Sequence, residues 1–388
     1  MFNTSSTALT IRRLPWAVIG WGTFIVAHAH PKTTSFALPV LLLCLIFAER
    51  VGQLDLISRL RPLETAILGF GLSWSVATVF ALDPSRAVLL SVPTVVTVLC
   101  ALVLPRSESR QHFLSFDVTL LSLSIPALSA CLEIVATGSA DDPMQRLREV
   151  DIPWLVVPND IAWLSCLWPL WWRGMNAPSP SRQGWILLLV VSCLLVVAMM
   201  ILESRLGLAA LAIAIAGELA FKRFRISRSS ISAMVLIGVA VLLGFSLFKG
   251  WTSSLARLQL WQTAIELFLQ HPILGTGPHN FTLHYSNPDA IVNMIDPRIT
   301  PWPHNLPLEL LSSGGALLGL AAAAVLKLRY RRFDDRLPGS STLAFTMICL
   351  FEASTLRLWL GLCLVLLLVP PSPRFTSSPT LKTGHTED

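Results

Sequence analysis

The chain has 388 residues, of which 53% are hydrophobic and only 13% are charged. Soluble domains carry about 25% charged residues, so this composition excludes a soluble globular protein and makes the lipid bilayer the main solvent of the chain. The net charge of +6 does not indicate a nucleic-acid partner, because the basic residues are spread through short loops between apolar runs.

Apolar runs long enough to cross a bilayer recur along the whole chain. A spanning helix needs ~20 mostly apolar residues, because ~30 Å of hydrocarbon is crossed at ~1.5 Å per residue. About twelve such runs are predicted, at 14–30, 34–48, 63–82, 86–104, 113–136, 152–172, 185–203, 205–220, 231–248, 306–326, 340–353 and 356–370. Most of the 29 lysines and arginines fall in alternate loops, which predicts that both termini are cytoplasmic.

These runs predict an all-α integral membrane protein in four parts. Residues 1–248 hold transmembrane helices one to nine, and 249–305 form one large loop on the non-cytoplasmic side. Residues 306–370 hold helices ten to twelve, and 371–388 are predicted to be a disordered cytoplasmic tail, because they are rich in Pro, Ser and Thr. All seven cysteines lie within apolar runs, and we interpret them as packing residues without a disulfide or metal role.

The large loop is not of low complexity and is predicted to contain an amphipathic helix. Its apolar residues Leu258, Trp261, Ile265 and Phe268 recur at helical spacing, which indicates a helix lying on the membrane interface. Pro272 is expected to end this helix, and the glycines that follow it are expected to turn the chain. Ordered loops of this length are usually functional.

Three charged or titratable residues lie at the outer level of the predicted bundle. Arg205 sits in a tight turn after run 185–203, Arg257 opens the loop helix, and His304 precedes run 306–326. Each has a simple alternative: Arg205 snorkels to headgroups or pairs with Glu203, and the other two face water or lipid headgroups. Together, two guanidiniums suit a diphosphate, and a neutral imidazole suits the proton of an attacking hydroxyl.

The sequence in this region resembles the O-antigen ligase family, which also includes O-antigen and exopolysaccharide polymerases. The specific part of the resemblance reads Arg257-x3-Trp261, His271-Pro272-Ile-Leu-Gly275-Thr-Gly277-Pro278, Phe281, and then Pro303-His304-Asn305-x2-Leu308-Glu309-x5-Gly315. Weaker similarities are Ser204-Arg205-x-Gly207, Asp83-Pro84-Ser85 and Asn159-Asp160. Two departures are Leu206 and His279, where the family often has small residues.

The resemblance implies about twelve helices with one large periplasmic loop, in a bacterial inner membrane, with the active site facing the periplasm. Carried over to this sequence, Arg205 and Arg257 become the pair that binds the donor diphosphate, and His304 becomes the catalytic base. His279 is a rival base, because Pro-His-Asn occurs twice. The implied supporting residues are Asn305, Glu309, Trp261, Asp83 and Asn159.

The implied reaction moves a glycan from undecaprenyl diphosphate to a hydroxyl, with inversion and without a metal, nucleotide sugar or other cofactor. The expected partners are this lipid-linked donor, a lipid A–core or other glycan acceptor, and membrane lipids. Ligation of O-antigen is favoured over polymerisation of O-antigen or exopolysaccharide with the same donor. An alternative of another class is a transporter or flippase of lipid-linked sugars, but such proteins carry repeated halves and charges near the midplane.

Overall fold

The computed structural model describes residues 62–103, 182–201, 204–224, 251–285, 302–331 and 339–351, with single positions between 162 and 169. These residues form helices without any strand among them. In chain order the helices are α1 (Pro62–Val79), α2 (Pro84–Val103), α3 (Arg182–Ile201), α4 (Arg205–Phe224), α5 (Trp251–Gln270), α6 (Phe281–Tyr285), α7 (Leu306–Arg331) and α8 (Gly339–Phe351).

The predicted all-α class is confirmed for the described residues, while the number of spans remains a prediction. Within these residues, the segment Leu306–Leu328 is long and apolar enough to cross a membrane, and Leu189–Ile201 and Ser340–Phe351 are shorter apolar helices. Large apolar side chains on the outward faces stay exposed, as with Leu89 at 72% and Leu320 at 71%. A surface of this kind suits lipid better than water.

Six of the predicted runs correspond to described helices, with ends that differ by a few residues. The runs 63–82 and 86–104 match α1 and α2, and the later runs match α3, α4, α7 and α8. Of run 152–172, only single positions near its end are described. The other five predicted runs, the tail 371–388 and most of the loop after α6 lie outside the described residues.

Helix α7 is the central packing partner of the described bundle, and it contacts α1, α5 and α8. Between α1 and α7 the buried side chains of Trp74, Leu310 and Leu318 form one apolar cluster. A second cluster lies between α5, α6 and α7, where Leu308 packs against Leu260 and its buried neighbours. Helix α4 packs against α3 and α8, so α8 links the two groups of helices.

The predicted loop helix is present as α5, but it starts at Trp251 and buries a different row of side chains. Of the predicted apolar row, Leu258 and Ile265 are exposed, whereas Trp261 and Phe268 are half-buried. The buried row contains two alanines, which let α5 approach α7 closely, and its members are Ala256, Leu260, Ala264 and Leu267. Packing on α7, rather than the membrane interface alone, therefore orients this helix.

Candidate functional site

Helix α7 is broken at Gly315, and the loop after α5 satisfies the broken backbone. Gly315 has φ 60° and ψ −158°, so the helix cannot continue through it. The N–H groups of Ala316 and Leu317, which would normally bond within the helix, instead donate to the carbonyls of Pro272 and Ile273 at 2.8 and 3.2 Å. The break thus leaves neither N–H group unsatisfied.

The carbonyl groups on the other side of the break are satisfied by the same loop, residues 271–280. The oxygens of Ser312 and Ser313 accept hydrogen bonds from the N–H groups of Thr276 and Gly277, each at 2.8 Å. These two carbonyls would have been the acceptors for the two N–H groups after the break in a continuous helix. Four backbone hydrogen bonds therefore join the 271–280 loop to the broken helix, two donated from each side.

Glycines are required where the 271–280 loop meets its neighbours. A Cβ on Gly275 would lie 2.4 Å from the carbonyl carbon of Ser313, and one on Gly277 would lie 2.1 Å from the Cβ of Ala81. Both glycines also have positive φ, at 66° and 96°, a region that side chains disfavour. The Gly-Thr-Gly sequence is thus explained by close backbone approach on two sides.

The turn between α1 and α2 docks on the same loop. The N–H of Leu82 donates to the carbonyl of Thr276 at 3.0 Å. Asp83 begins α2 as its N-cap, since its Oδ1 accepts the N–H of Arg86 at 3.0 Å, and Pro84 follows at the first helical position. Asp83, predicted as a supporting site residue, therefore has a capping role in this turn.

His279 is buried between the 271–280 loop and the first two helices. Its side chain is only 4% exposed, and its ring stands edge-on to Trp74 with centroids 5.7 Å apart. Burial, and then the positive charge of Arg86, lower the pKa of His279 from 6.5 to about 4, although a backbone hydrogen bond at Leu90 opposes this shift. His279 is therefore neutral near pH 7.

His304 occupies the equivalent place in the second Pro-His-Asn sequence, but it is more accessible. Both histidines have left-handed backbones, with φ 62° at His279 and 53° at His304, and each precedes an asparagine and a helix. The ring of His304 lies edge-on to Trp302, with centroids 5.6 Å apart, and the residue is half-buried. The repeated sequence is therefore a repeated backbone motif in two environments.

Asn305 fixes the start of α7 to the end of α8. Its Oδ1 accepts the N–H of Leu308 at 3.0 Å, which makes it the N-cap of α7. Its Nδ2 donates to the carbonyl of Leu350 at 3.0 Å. Glu309, buried in the first turn, adds a carboxyl group where the helix dipole favours one. His304 is thereby held next to the C-terminal end of α8, residues 349–351.

Arg257 and Trp261 lie one turn apart on the half-buried edge of α5. The ring of Trp261 meets that of Phe351 at a centroid distance of 6.3 Å, so this edge of α5 also reaches the end of α8. The Nε1 of Trp261 is buried and has no hydrogen-bond partner within the described part of the chain. Arg257 is half-buried and follows the same edge, because residues four apart are neighbours on a helix.

Arg205 is exposed at the first turn of α4, where the buried Ser204 acts as the N-cap. The Oγ of Ser204 accepts the N–H of Gly207 at 3.3 Å. Further along the same turn, the carbonyl of Gly207 accepts a hydrogen bond from the hydroxyl of Ser165 at 3.2 Å. The neighbour of Ser165, Cys166, lies close enough to Cys349 for their thiols to interact electrostatically. The start of α4 is thus linked to the end of α8.

The direction of α4 also places its start near the end of α8. Near its other end, Glu218 accepts a hydrogen bond from the hydroxyl of Ser340 at 2.9 Å, at the start of α8. Arg205 lies about 20 Å from Glu218 along α4, and Phe351 lies about 17 Å from Ser340 along α8, at ~1.5 Å per residue. The two helices are antiparallel, so Arg205 lies at the level of Phe351.

Three independent links therefore lead to one place, the end of α8. They bring together the elements that carry Arg205, Arg257 and His304. His279 instead contacts Trp74 of α1 and lies near Arg86 of α2. Asn159 and the alternative partner Glu203 lie outside the described residues. Neither the role of Thr276 nor the break at Gly315 was predicted from the sequence.

Part of the chain is similar to a known protein family. Residues 179–324 match the family described as O-antigen ligase, and this segment includes Arg205, Arg257 and both histidines of the repeated motif. No curated protein matches the chain. A helical integral membrane protein with glycosyltransferase-type activity is the class that this match supports. The resemblance to the O-antigen ligase and polymerase family is thereby confirmed.

Proposed function

We propose that this protein transfers a glycan from undecaprenyl diphosphate to a hydroxyl of lipid A–core, on the periplasmic side of the bacterial inner membrane. The observation that carries the proposal is the meeting of three elements at the end of α8. These elements bear Arg205, Arg257 and His304, which are the groups that such a transfer requires.

Arg205 and Arg257 are proposed to bind the diphosphate of the donor. A planar guanidinium makes two parallel hydrogen bonds to phosphate oxygens, and bonds to charged groups contribute about 1.5–3 kcal/mol each. Negative charge grows on the diphosphate as the glycosidic bond breaks, so two fixed cations stabilise the transition state more than the ground state. A metal ion is not required for that task.

His304 is proposed to act as the general base. Its imidazole takes the proton of the acceptor hydroxyl while the hydroxyl oxygen forms a bond to the anomeric carbon of the donor. The bond from that carbon to the diphosphate oxygen breaks, and its electron pair leaves with the diphosphate. Attack from the face opposite the leaving group inverts the anomeric configuration, and His304 then releases its proton to water.

The two histidines differ in how well they suit this role. An efficient base has a pKa near the operating pH and reaches its substrate. His279 is 4% exposed, and burial lowers its pKa to about 4, so it is a weak base without access for a sugar. His304 is half-buried beside the end of α8, which favours it as the base.

The supporting residues mainly position the helices that carry the candidate catalytic groups. Asn305 holds the start of α7 to Leu350, and Trp261 holds the edge of α5 that carries Arg257 against Phe351. Glu309 is proposed to support the first turn of α7, and Asp83 supports the turn that docks on the 271–280 loop. For Asn159 we retain only the prediction from sequence.

Polymerisation of lipid-linked glycan is the second candidate, because the matched family includes polymerases and the donor chemistry would be identical. Deletion of the gene and analysis of lipopolysaccharide separates the two functions. A ligase predicts loss of all long-chain O-antigen with accumulation of lipid-linked polymer. A core that carries a single repeat unit would instead identify a polymerase.

A further inference from the structure

Thr276 is the residue through which the 271–280 loop joins two other elements, helix α7 and the turn between α1 and α2. Its N–H and its hydroxyl both donate to the carbonyl of Ser312, at 2.8 and 3.2 Å. Its own carbonyl accepts the N–H of Leu82 at 3.0 Å and the Nδ2 of Asn280 at 3.1 Å. The residue is 1% exposed. The turn between α1 and α2 is therefore connected through Thr276 to the broken helix α7.

The break in α7 depends on Gly315 and on the bonds that the loop supplies. The φ and ψ of Gly315 fall in a region that is open almost only to glycine. A Cβ at this position would lie 2.3 Å from the carbonyl carbon and oxygen of Ile273. An alanine would therefore favour a continuous helix. In that helix the N–H of Ala316 bonds to the carbonyl of Ser312, and the 271–280 loop loses its hydrogen bonds to α7.

The part of α7 before the break is the part that carries the candidate base. His304 lies two residues before its first residue, Leu306. Within it, Leu308 packs on the buried row of α5 that contains Leu260, less than one turn from Arg257. A change in the direction of this short helical segment would move His304 relative to α5. The break at Gly315 fixes that direction.

We propose that the 271–280 loop and the break in α7 form a positioning device, in which Thr276 and Gly315 set where His304 stands relative to Arg257. Both residues are buried, so neither is placed to touch substrate. The device acts on the rate of transfer, because it orients the base, and not on donor binding, because both arginines lie on other helices. This inference rests on the proposed function.

The first test is Gly315→Ala in the purified full-length protein. Binding of the undecaprenyl-diphosphate-linked glycan and the rate of glycan transfer are measured separately, and the rate is expressed per bound donor so that unfolded protein does not count. We expect the rate per bound donor to fall about 100-fold, as for a misplaced catalytic group, with the donor Kd changed less than about threefold. Gly69→Ala is the control, because a Cβ there has nothing within 4 Å.

The second test keeps the backbone and changes only one hydroxyl. Thr276→Val preserves the shape of the side chain but removes its bond to Ser312, and we expect a loss of about fivefold in rate per bound donor. Thr276→Ser retains the hydroxyl and is expected to restore most of the rate. This pair also carries the test if Gly315→Ala fails to fold.

The outcomes separate the positioning device from the function itself. Wild-type rates per bound donor in both Gly315→Ala and Thr276→Val would overturn the device and leave the proposed transfer intact. A loss of total transfer with a raised donor Kd and a wild-type rate per bound donor would also overturn it, because the loop would then act on donor binding. Wild-type protein that binds no donor and transfers no glycan would overturn the proposed function, and the device with it.

Discussion

Asn305 donates a hydrogen bond from its side chain to the carbonyl of Leu350 at 3.0 Å, and this bond ties the start of α7 to the end of α8. The same side chain caps α7 through its other atom. Asn305 therefore sets both the direction of α7 and its distance from α8. It directly follows His304, the candidate base.

Substitution of Asn305 separates its two roles. Asn305→Asp keeps the capping oxygen and loses the donor to Leu350, whereas Asn305→Ala loses both. We expect Asn305→Ala to lower the free energy of unfolding by about 1–2 kcal/mol, and Asn305→Asp to lower the transfer rate with a smaller effect on stability. Thermal unfolding in detergent and transfer assays measure the two effects. Equal activity of both variants and the wild type would show that the tie to α8 is not needed.

Substitution of the two arginines tests the diphosphate site. Arg205→Ala and Arg257→Ala are each expected to weaken donor binding roughly tenfold or more, because charged hydrogen bonds are lost. Lysine should restore little, since an ammonium group cannot make the planar two-point contact. Titration with undecaprenyl diphosphate provides the measurement.

The control for this pair is Lys327→Ala, an exposed cation further along α7. It should bind donor as the wild type does. A uniform loss across all three variants would point to a general effect of net charge, and not to a site formed by Arg205 and Arg257.

The buried histidine predicts an acid-sensitive fold. The pKa of His279 is lowered to about 4 in the folded protein, so the unfolded chain binds the proton more tightly. Above pH 6.5 His279 adds no pH dependence to the free energy of unfolding. As the pH drops from about 6.5 to about 4, this free energy falls by about 3 kcal/mol in total. His279→Asn tolerates the left-handed backbone and should flatten this part of the stability profile. An unchanged slope would mean that other groups cause the acid sensitivity.

Glu218 and Ser340 predict a stabilising contact far from the candidate site. Both residues are buried, and the carboxyl group accepts the serine hydroxyl at the N-terminus of α8. Glu218→Ala should lower the free energy of unfolding by about 1–3 kcal/mol, because a buried hydroxyl loses its partner. Glu218→Gln retains an acceptor and should cost less.

The matched control for Glu218 is Glu266→Ala on α5. Glu266 is exposed and accepts from Gln262 at 2.8 Å, and exposed contacts of this kind contribute little. A loss of stability as large as that of Glu218→Ala would contradict the role assigned to burial.

The sequence predicted the helices better than their contacts. Hydropathy is a local property, so α1, α2 and α7 start within a few residues of their predicted positions. For α5 the sequence predicted an apolar row on the membrane interface, and Leu258 and Ile265 of that row are exposed. It did not indicate the row that contains Ala256 and Ala264, which is buried in the bundle. The break at Gly315 could not be predicted, because the bonds that stabilise it come from Pro272 and Ile273, far away in sequence.

The residues of the candidate site were proposed from the sequence, whereas the arrangement of the helices that carry them was not. Arg205, Arg257 and His304 were chosen from motif spacing, and nothing in the sequence links them to α8. That link arises from contacts of Asn305 and Trp261 and from the proximity of Cys166 to Cys349, each between segments distant in the chain.

The most direct test of the account is transfer by purified protein with a labelled undecaprenyl-diphosphate glycan and lipid A–core, in parallel for wild type, His304→Ala and His279→Asn. We expect the wild type and His279→Asn to transfer the glycan near pH 7. His304→Ala should bind the donor normally and lose transfer by about 100-fold or more, as expected for removal of a general base. Full activity of His304→Ala would contradict the central claim, as would a wild type that transfers nothing.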